Sequence, residues 1–185
     1  TEEEIKEILP QNGPSFNEVQ NYLEKYNDEY IVIKCGGSVL VNQNLFNNFI
    51  NDISILNKLG LIPIIIHGGG KRISSRLNDA GIKSNFINGL RVTDKKSINI
   101  VEDVLNNLNK EIIESLKKNK CDSEGLNSKN KNILMVEQGD KDLGFVGIPK
   151  EVKQSIIEQV VSEKKVPVIA PLGLNKINQV FNINA

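Results

Sequence analysis

Two short β-prone runs of this sequence each end in a cluster of glycines, and each cluster is followed by a helical pattern. Residues 30–34 lead into Cys35-Gly36-Gly37-Ser38, and the apolar run 61–66 leads into His67-Gly68-Gly69-Gly70. A run that is apolar on both faces is typical of a buried parallel strand. Strands that alternate with helices predict an α/β protein, with a mostly parallel central sheet sandwiched by helices and right-handed crossovers.

Two further helices are marked by their caps. Ser15-Phe16-Asn17-Glu18 is a capping box, which predicts a helix within an appended segment, residues 1–28. Thr93-Asp94 provides a cap for a long helix whose apolar positions recur at helical spacing.

The rest of the chain is less regular. Residues 121–147 are polar and punctuated by glycines, which indicates hairpins or excursions, with short β-prone pieces at 132–136 and 144–146. A last helix is predicted over about 150–164, and a buried strand over 166–170.

Length, charge and cysteine content exclude several classes of protein. The 185 residues make roughly one domain, and 23 basic against 23 acidic residues offer no basic surface for nucleic acid. The longest apolar runs have about six residues, against the ~20 that a membrane helix needs. Two cysteines are too few for a disulfide framework, so we expect a reducing, cytoplasmic location.

The glycine clusters fall where parallel sheets bind anions. Ligands lie at the carboxyl ends of parallel strands, and glycines let backbone N–H groups approach phosphate or carboxylate oxygens closely. Tight turns also account for glycine pairs, but repetition at equivalent positions favours an anion site. Neither cluster is a Gly-x-Gly-x-x-Gly or Walker loop, because Ile65 stands where the Walker pattern before Gly70-Lys71 requires glycine.

Four side chains near the clusters are candidates for chemistry. Lys34 is predicted at the carboxyl end of a buried strand, where an unpaired charge is expensive and indicates a function. Cys35 is interpreted as a packing residue on the opposite face, and His67, the only histidine, as orienting the glycine loop through a hydrogen bond. The planar fork of Arg91 suits a carboxylate ligand, whereas a surface pair with Asp94 accounts equally well for its spacing.

Seven segments together resemble the acetylglutamate kinase family of the amino acid kinase superfamily. Their order and approximate spacing match from about Tyr26 to the last residue. The lysine-Gly-Gly opening is shared across the superfamily, whereas the Gly-Leu-Arg-Val-Thr-Asp block and the Asn-Ile-Asn-Ala end are more specific. The segments are 33–38, 63–70, 88–94, 109–112, 143–147, 167–171 and 182–185.

The resemblance implies a nucleotide side and an acceptor side of one site. Lys34 would be catalytic and stabilise the transition state of phosphoryl transfer, while Gly36 and Gly37 would bind the phosphates of ATP, with Mg²⁺ held mainly by the nucleotide. No metal ligand of the protein's own is implied.

On the acceptor side, the resemblance implies binding of N-acetyl-L-glutamate. Gly69 and Gly70 would bind its side-chain carboxylate, Arg91 its α-carboxylate, and Asn182 the rest of the molecule. The implied reaction is ATP-dependent phosphorylation of the side-chain carboxylate to N-acetylglutamyl 5-phosphate, in arginine biosynthesis. A carboxylate acceptor is already ionised near neutral pH, so no general base is required.

The family continues beyond the Asn-x-Asn-Ala segment into a nucleotide-binding half. We therefore expect residues 29–185 to be an acceptor-binding lobe that lacks the carboxy-terminal nucleotide-binding lobe, and to show little kinase activity alone. A non-catalytic acylglutamate-binding or assembly module remains an alternative. So do other members of the superfamily, such as uridylate kinase, carbamate kinase and aspartokinase.

The appended amino-terminal helix bears on assembly. The resemblance implies a homodimer, and in arginine-inhibited members such a helix pairs dimers into hexameric rings. Packing of the helix on its own domain accounts equally well for its apolar face. Hexamer formation with arginine feedback therefore stays open on the sequence.

Overall fold

A computed structural model describes residues 2–185 of the chain. A short 3₁₀ helix spans Lys141–Leu143. The α-helices are α1 (Glu2–Ile8), α2 (Phe16–Lys25), α3 (Gln43–Lys58), α4 (Gly70–Asp79), α5 (Ser97–Lys118) and α6 (Gln154–Ser162). The strands are β1 (Tyr30–Cys35), β2 (Ile62–His67), β3 (Phe86–Ile87), β4 (Leu90–Arg91), β5 (Ser123–Leu126), β6 (Leu134–Gln138), β7 (Gly147–Val152), β8 (Val166–Ile169), β9 (Leu172–Leu174) and β10 (Val180–Asn182).

The principal sheet has four strands, all parallel, in the order β1-β2-β8-β5. Helices α3 and α5 cover one face, where Ile50 and Ile112 pack against Ile65 and Val168. Helix α6 covers the other face through Val160. The predicted α/β architecture with a parallel sheet between helices is confirmed.

The register of β1 and β2 brings the two glycine clusters side by side. Cys35 and His67 are the last residues of their strands and pair with each other. Both strands therefore end at the same level of the sheet. The second cluster runs directly into α4, which packs on α5 through Ile73 and Leu105.

The predicted burial of the first strand is wrong. β1 lies at an edge of the sheet instead of its centre, and the face that carries Tyr30, Val32 and Lys34 is exposed. Val32 retains 62% of its accessible surface. The side chain of Lys34 is therefore a solvent-accessible charge at the rim of the sheet rather than a buried one.

The region predicted as hairpins also departs from expectation. Its first part, β5, joins the principal sheet, and the rest enters a second, mixed sheet in the order β10-β9-β6-β7. Residues 144–146 make only isolated bridges, and residues 150–152, predicted as helix, belong to β7. Residues 150–152 are extended because β7 pairs antiparallel with β6, a long-range contact that the local helical pattern does not report.

The amino-terminal helix begins where the sequence predicts. The Ser15 hydroxyl accepts from the Glu18 N–H, and the Glu18 carboxylate accepts from the Ser15 N–H, which completes the capping box. Val19 is the buried residue of α2. The preceding α1 carries no buried residue.

Candidate functional site

The two glycine loops contact each other through their backbones. The N–H of Gly68 donates to the carbonyl of Cys35 at 2.7 Å. A Cβ placed on Gly68 would lie 3.7 Å from the Cα of Gly36, so the loops pass at van der Waals distance. Gly37 has a φ of +59°, in the left-handed region that favours glycine. One continuous platform of backbone therefore spans the ends of β1 and β2.

A cavity of about 220 Å³ opens above this platform. All seven residues that the sequence assigned to a site line it, although they are as much as 148 positions apart (182 − 34). They are Lys34, Gly36, Gly37, Gly69, Gly70, Arg91 and Asn182. The chain thus gathers two glycine loops, two basic side chains and an amide around one space.

Lys34 reaches the cavity from its open side. A Cβ on Gly36 would lie 3.7 Å from the Nζ of Lys34, so the ammonium lies close above the first glycine loop. No salt bridge of Lys34 occurs within residues 2–185. Its charge is available to a ligand.

Arg91 also lines the cavity, as a buried side chain that is only 8% exposed. Its guanidinium donates at 2.8 Å to the carbonyl of Gly70 and to the hydroxyls of Ser74 and Ser84. Burial lowers the pKa of Arg91 below its usual value. The alternative pairing with Asp94 does not occur, because the Asp94 carboxylate accepts the N–H of Ser97 at 2.7 Å at the start of α5.

A hairpin that sequence analysis did not assign closes one side of the cavity. Strands β3 and β4 are joined by Asn88 and Gly89, both with positive φ, as in a type I′ turn. The Phe86 ring lies 4.7 Å from the Arg91 guanidinium and also lines the cavity. The Asn-Gly pair between β-prone residues was the signal for this hairpin.

Asn182 is held at the cavity by the second sheet. Its N–H donates to the carbonyl of Phe145 at 2.9 Å, and its amide donates to the Thr93 hydroxyl at 3.3 Å. Thr93 is fully buried and donates its own N–H to the carbonyl of Leu143. The segments around 93, 145 and 182, distant in sequence, are therefore fixed to one another.

The side chains at the ends of the two strands are structural. The ring Nδ1 of His67 lies 2.9 Å from the carbonyl of Gly68, so the predicted hydrogen bond to the glycine loop is confirmed. Burial lowers the pKa of His67 to about 4. Burial raises the pKa of the Cys35 thiol to about 11, which fits a packing residue and not a thiolate nucleophile.

Two further features are absent from residues 2–185. No group of three or more histidine, cysteine, aspartate or glutamate side chains lies where it could hold a metal ion. In the same residues, no helix is both long and apolar enough to cross a membrane.

The parallel sheet, with its glycine loops and basic side chains around one cavity, lies within the part of the chain that matches a known family. The chain belongs to the amino acid kinase family, whose model matches residues 29–185. It is 60% identical to acetylglutamate kinase of Pelagibacter ubique over 184 residues, which is 100% of this chain and 64% of that protein. It is 40% identical to acetylglutamate kinase of Campylobacter jejuni over 164 residues, which is 89% of this chain and 59% of that protein.

Solved structures share the fold. The structure of smu.665 from Streptococcus mutans UA159 aligns with a TM-score of 0.76 and 30% identity, over 84% of this chain and 64% of that one. An N-acetylglutamate synthase from Neisseria gonorrhoeae, complexed with coenzyme A and N-acetyl-glutamate, aligns with a TM-score of 0.79 and 20% identity. That alignment covers 91% of this chain and 39% of the synthase, and it shows the fold alone. The chain thus spans less than two thirds of the length of these relatives.

Proposed function

We propose that this chain is the acceptor-binding lobe of an ATP-dependent kinase that phosphorylates the side-chain carboxylate of N-acetyl-L-glutamate, in arginine biosynthesis. The observation that carries the proposal is the single cavity in which two bonded glycine loops, the buried guanidinium of Arg91 and the free ammonium of Lys34 meet. A dicarboxylate acceptor and a nucleotide phosphate need such separate anion sites within one space. The 60% identity to an acetylglutamate kinase supports this choice of acceptor.

The proposed chemistry needs no general base. A carboxylate oxygen of the acceptor attacks the γ-phosphorus, and the bond from that phosphorus to the bridging oxygen of ADP breaks. Catalysis then consists of holding the two anions in line and neutralising the charge that develops between them. We assign the second role to Lys34, because its ammonium lies beside the glycine loop and has no carboxylate partner within residues 2–185.

The first glycine loop suits the phosphates of the nucleotide. A Cβ on Gly37 would meet nothing within 4 Å, so its backbone faces open space. Gly36 lies beneath the Lys34 ammonium, which supplies a compensating charge. Mg²⁺ would arrive with the nucleotide and would be held mainly by the phosphates of the nucleotide.

We assign the acceptor to the inner part of the cavity. Helix α4 begins at Gly70, so its first N–H groups have no partner within the helix and favour a carboxylate. Arg91 has donors beyond the three bonds described, which suits the second carboxylate, and Asn182 would contact the remainder. Residues 1–28 are proposed as an extension to this lobe, residues 29–185, since the family match begins at 29.

Titration calorimetry tests the acceptor. We expect the chain to bind N-acetyl-L-glutamate, and to bind aspartate, carbamate or uridine monophosphate at least about tenfold more weakly. Preference for uridine monophosphate would point instead to a uridylate kinase. Arg76→Lys, an exposed change on α4, is the matched control and leaves the affinity unchanged.

The catalytic assignment is tested in the longer protein that the proposal implies. An ADP-release assay with ATP, Mg²⁺ and N-acetyl-L-glutamate should show turnover that Lys34→Arg reduces severely. Unimpaired turnover in that variant contradicts the role of Lys34. Binding of the acceptor without any turnover in the unaltered protein would favour the non-catalytic acylglutamate-binding module.

We also propose that the chain forms a homodimer, and that α2 pairs such dimers into a hexamer with arginine feedback. Support comes from the apolar groove that α2 forms with α3, and from Tyr22, which is 55% exposed beside that groove. In the longer protein, removal of residues 1–26 should lower the number of subunits per particle, obtained from light scattering as the particle mass divided by the subunit mass. An unchanged number of subunits contradicts the idea. The two free, buried cysteines support a cytoplasmic location.

A further inference from the structure

Behind the second glycine loop lies a fully buried polar pair. His67 at the end of β2 and Asn109 in the middle of α5 are both 0% exposed. Burial of polar groups is unfavourable unless each donor and acceptor finds a partner. In this pair, every ring and amide position has one.

The hydrogen bonds fix the state of both side chains. The Gly68 carbonyl can only accept, so the neutral ring of His67 carries its proton on Nδ1 and donates to it at 2.9 Å. The remaining Nε2 then accepts from the Asn109 amide at 3.2 Å. The same amide nitrogen donates to the carbonyl of Val168 at 2.9 Å. The Asn109 amide oxygen accepts from the Asn127 side chain at 3.1 Å.

This arrangement leaves Asn109 one orientation. If its amide turned over, its oxygen would face the carbonyl of Val168 and its nitrogen would face the donor of Asn127. Strand β5 is shaped around it, because a Cβ on Gly125 would overlap the Asn109 oxygen. Asn109 therefore stabilises the Nδ1–H form of His67 that the Gly68 carbonyl requires, and holds the ring in place from its other side.

These hydrogen bonds fix the backbone of the second glycine loop. Gly68 is held on both sides, since its N–H donates to the Cys35 carbonyl and its carbonyl accepts from His67. The next residue, Gly69, packs directly on α5, where a Cβ would lie 2.7 Å from Leu105. Leu105 and Asn109 are one helical turn apart on the same face of α5. One helix thus fixes both the polar and the apolar contacts of the loop.

We propose that Asn109 is a positioning residue of the acceptor site: acting through His67, it holds the Gly68-Gly69-Gly70 backbone in the geometry that binds the side-chain carboxylate of the acceptor. The inference rests on the proposed function, because it takes the ligand from there. It adds a residue that lies outside the cavity and touches no ligand.

The experiment compares two nearly isosteric ligands in Asn109→Leu, a variant of similar side-chain volume. N-acetyl-L-glutamate carries the side-chain carboxylate, and N-acetyl-L-glutamine carries a neutral amide in its place. We expect calorimetry to show about a tenfold loss of affinity for the first ligand and less than about a twofold loss for the second. Asn106→Leu is the matched control, because Asn106 lies on the same helix but donates to Ser128, and both affinities should stay unchanged.

Nitrogen-15 spectra of the His67 ring give a second readout, which needs no ligand. The unaltered chain should show a protonated Nδ1 and a bare Nε2 that accepts a hydrogen bond, and Asn109→Leu should move the Nε2 resonance downfield because the ring loses that donor. If Asn109→Leu fails to fold by circular dichroism, Asn127→Ala removes the bond to Asn109, together with the two that the Asn127 oxygen accepts from Lys129 and Asn130 in its own turn. It should show about a threefold loss for N-acetyl-L-glutamate alone.

Three outcomes would overturn the inference. Equal losses for both ligands indicate general destabilisation, an unchanged affinity for N-acetyl-L-glutamate denies any positioning, and an equal effect of Asn106→Leu denies the specific path. Failure of the unaltered chain to bind either ligand contradicts the proposed function itself. That failure is distinct because it appears before any substitution is made.

Discussion

A proton on His67 should destabilise the fold in a pH range that no other described group dominates. The ring is fully buried, its Nδ1–H is donated, and its Nε2 faces the amide of Asn109, a donor. A second proton would place two donors face to face without water. The folded protein therefore resists protonation, and burial lowers the pKa of His67 from 6.5 to about 4.

The sign and size of the effect follow from this difference. The unfolded chain binds the proton as the pH falls below 6.5, whereas the folded chain binds it only near 4, so the free energy of unfolding falls across this window. The total loss is roughly 3 kcal/mol, of which about 2 kcal/mol is gone at pH 5. The lowered pKa values of Asp94 and Glu124 act at lower pH, because their contributions are lost only below their ordinary values of 3.8 and 4.5.

Urea unfolding, followed by circular dichroism at several pH values between about 7.5 and 4.5, measures this slope. His67→Gln is the matched variant: it is less stable than the unaltered chain near neutral pH, but it cannot bind the extra proton. The difference in stability between the two proteins should narrow as the pH falls. Parallel curves for the two proteins would refute the buried, neutral state of His67.

Three further predictions concern the cavity wall. Gly69→Ala should lower the free energy of unfolding by about 1 to 3 kcal/mol because its Cβ meets Leu105, whereas Gly70→Ala, which meets nothing within 4 Å, should leave urea unfolding nearly unchanged. Gly37→Ala should lower stability by about 1 kcal/mol from backbone strain alone, and a neutral result would deny the left-handed turn. Arg91→Lys should abolish calorimetric binding of N-acetyl-L-glutamate, because an ammonium cannot span the partners of the guanidinium; retained affinity would remove Arg91 from the acceptor site.

The two strand-loop-helix units were predictable because their signals are local. A continuous apolar run, a glycine cluster and a helical period define β2 and α4 without reference to the rest of the chain. Lys34 and the two glycine clusters also converged on one cavity, since the carboxyl ends of parallel strands share an edge, whereas Arg91 and Asn182 reach it from the β3–β4 hairpin and the second sheet. For these residues, the lysine and the glycines at the strand ends were enough to predict a shared site.

Long-range pairing explains what the sequence did not reveal. The Ser-Glu-Gly-Leu segment of β5 has no apolar run, and it is a strand because it pairs with β8. Only the fold explains why residue 125 is a glycine: a Cβ there would overlap the side chain of Asn109. The edge position of β1 could not be predicted either, because the residues of a strand do not determine how many strands pair with it. Arg91 donates to Ser74 and Ser84, and neither serine belongs to a sequence motif that would have indicated this role.

The open flank of β1 has a consequence for the behaviour of the chain in solution. Within residues 2–185 this strand pairs only with β2, so its other side presents unpaired backbone donors and acceptors beside exposed Tyr30 and Val32. Such a flank is a template on which another strand can add, and no proline or bulge interrupts it. Two copies that met there would share one continuous ribbon of sheet. Self-association of the isolated chain should therefore depend on protein concentration, even where each copy is fully folded, and a charged residue in place of Val32 should suppress it.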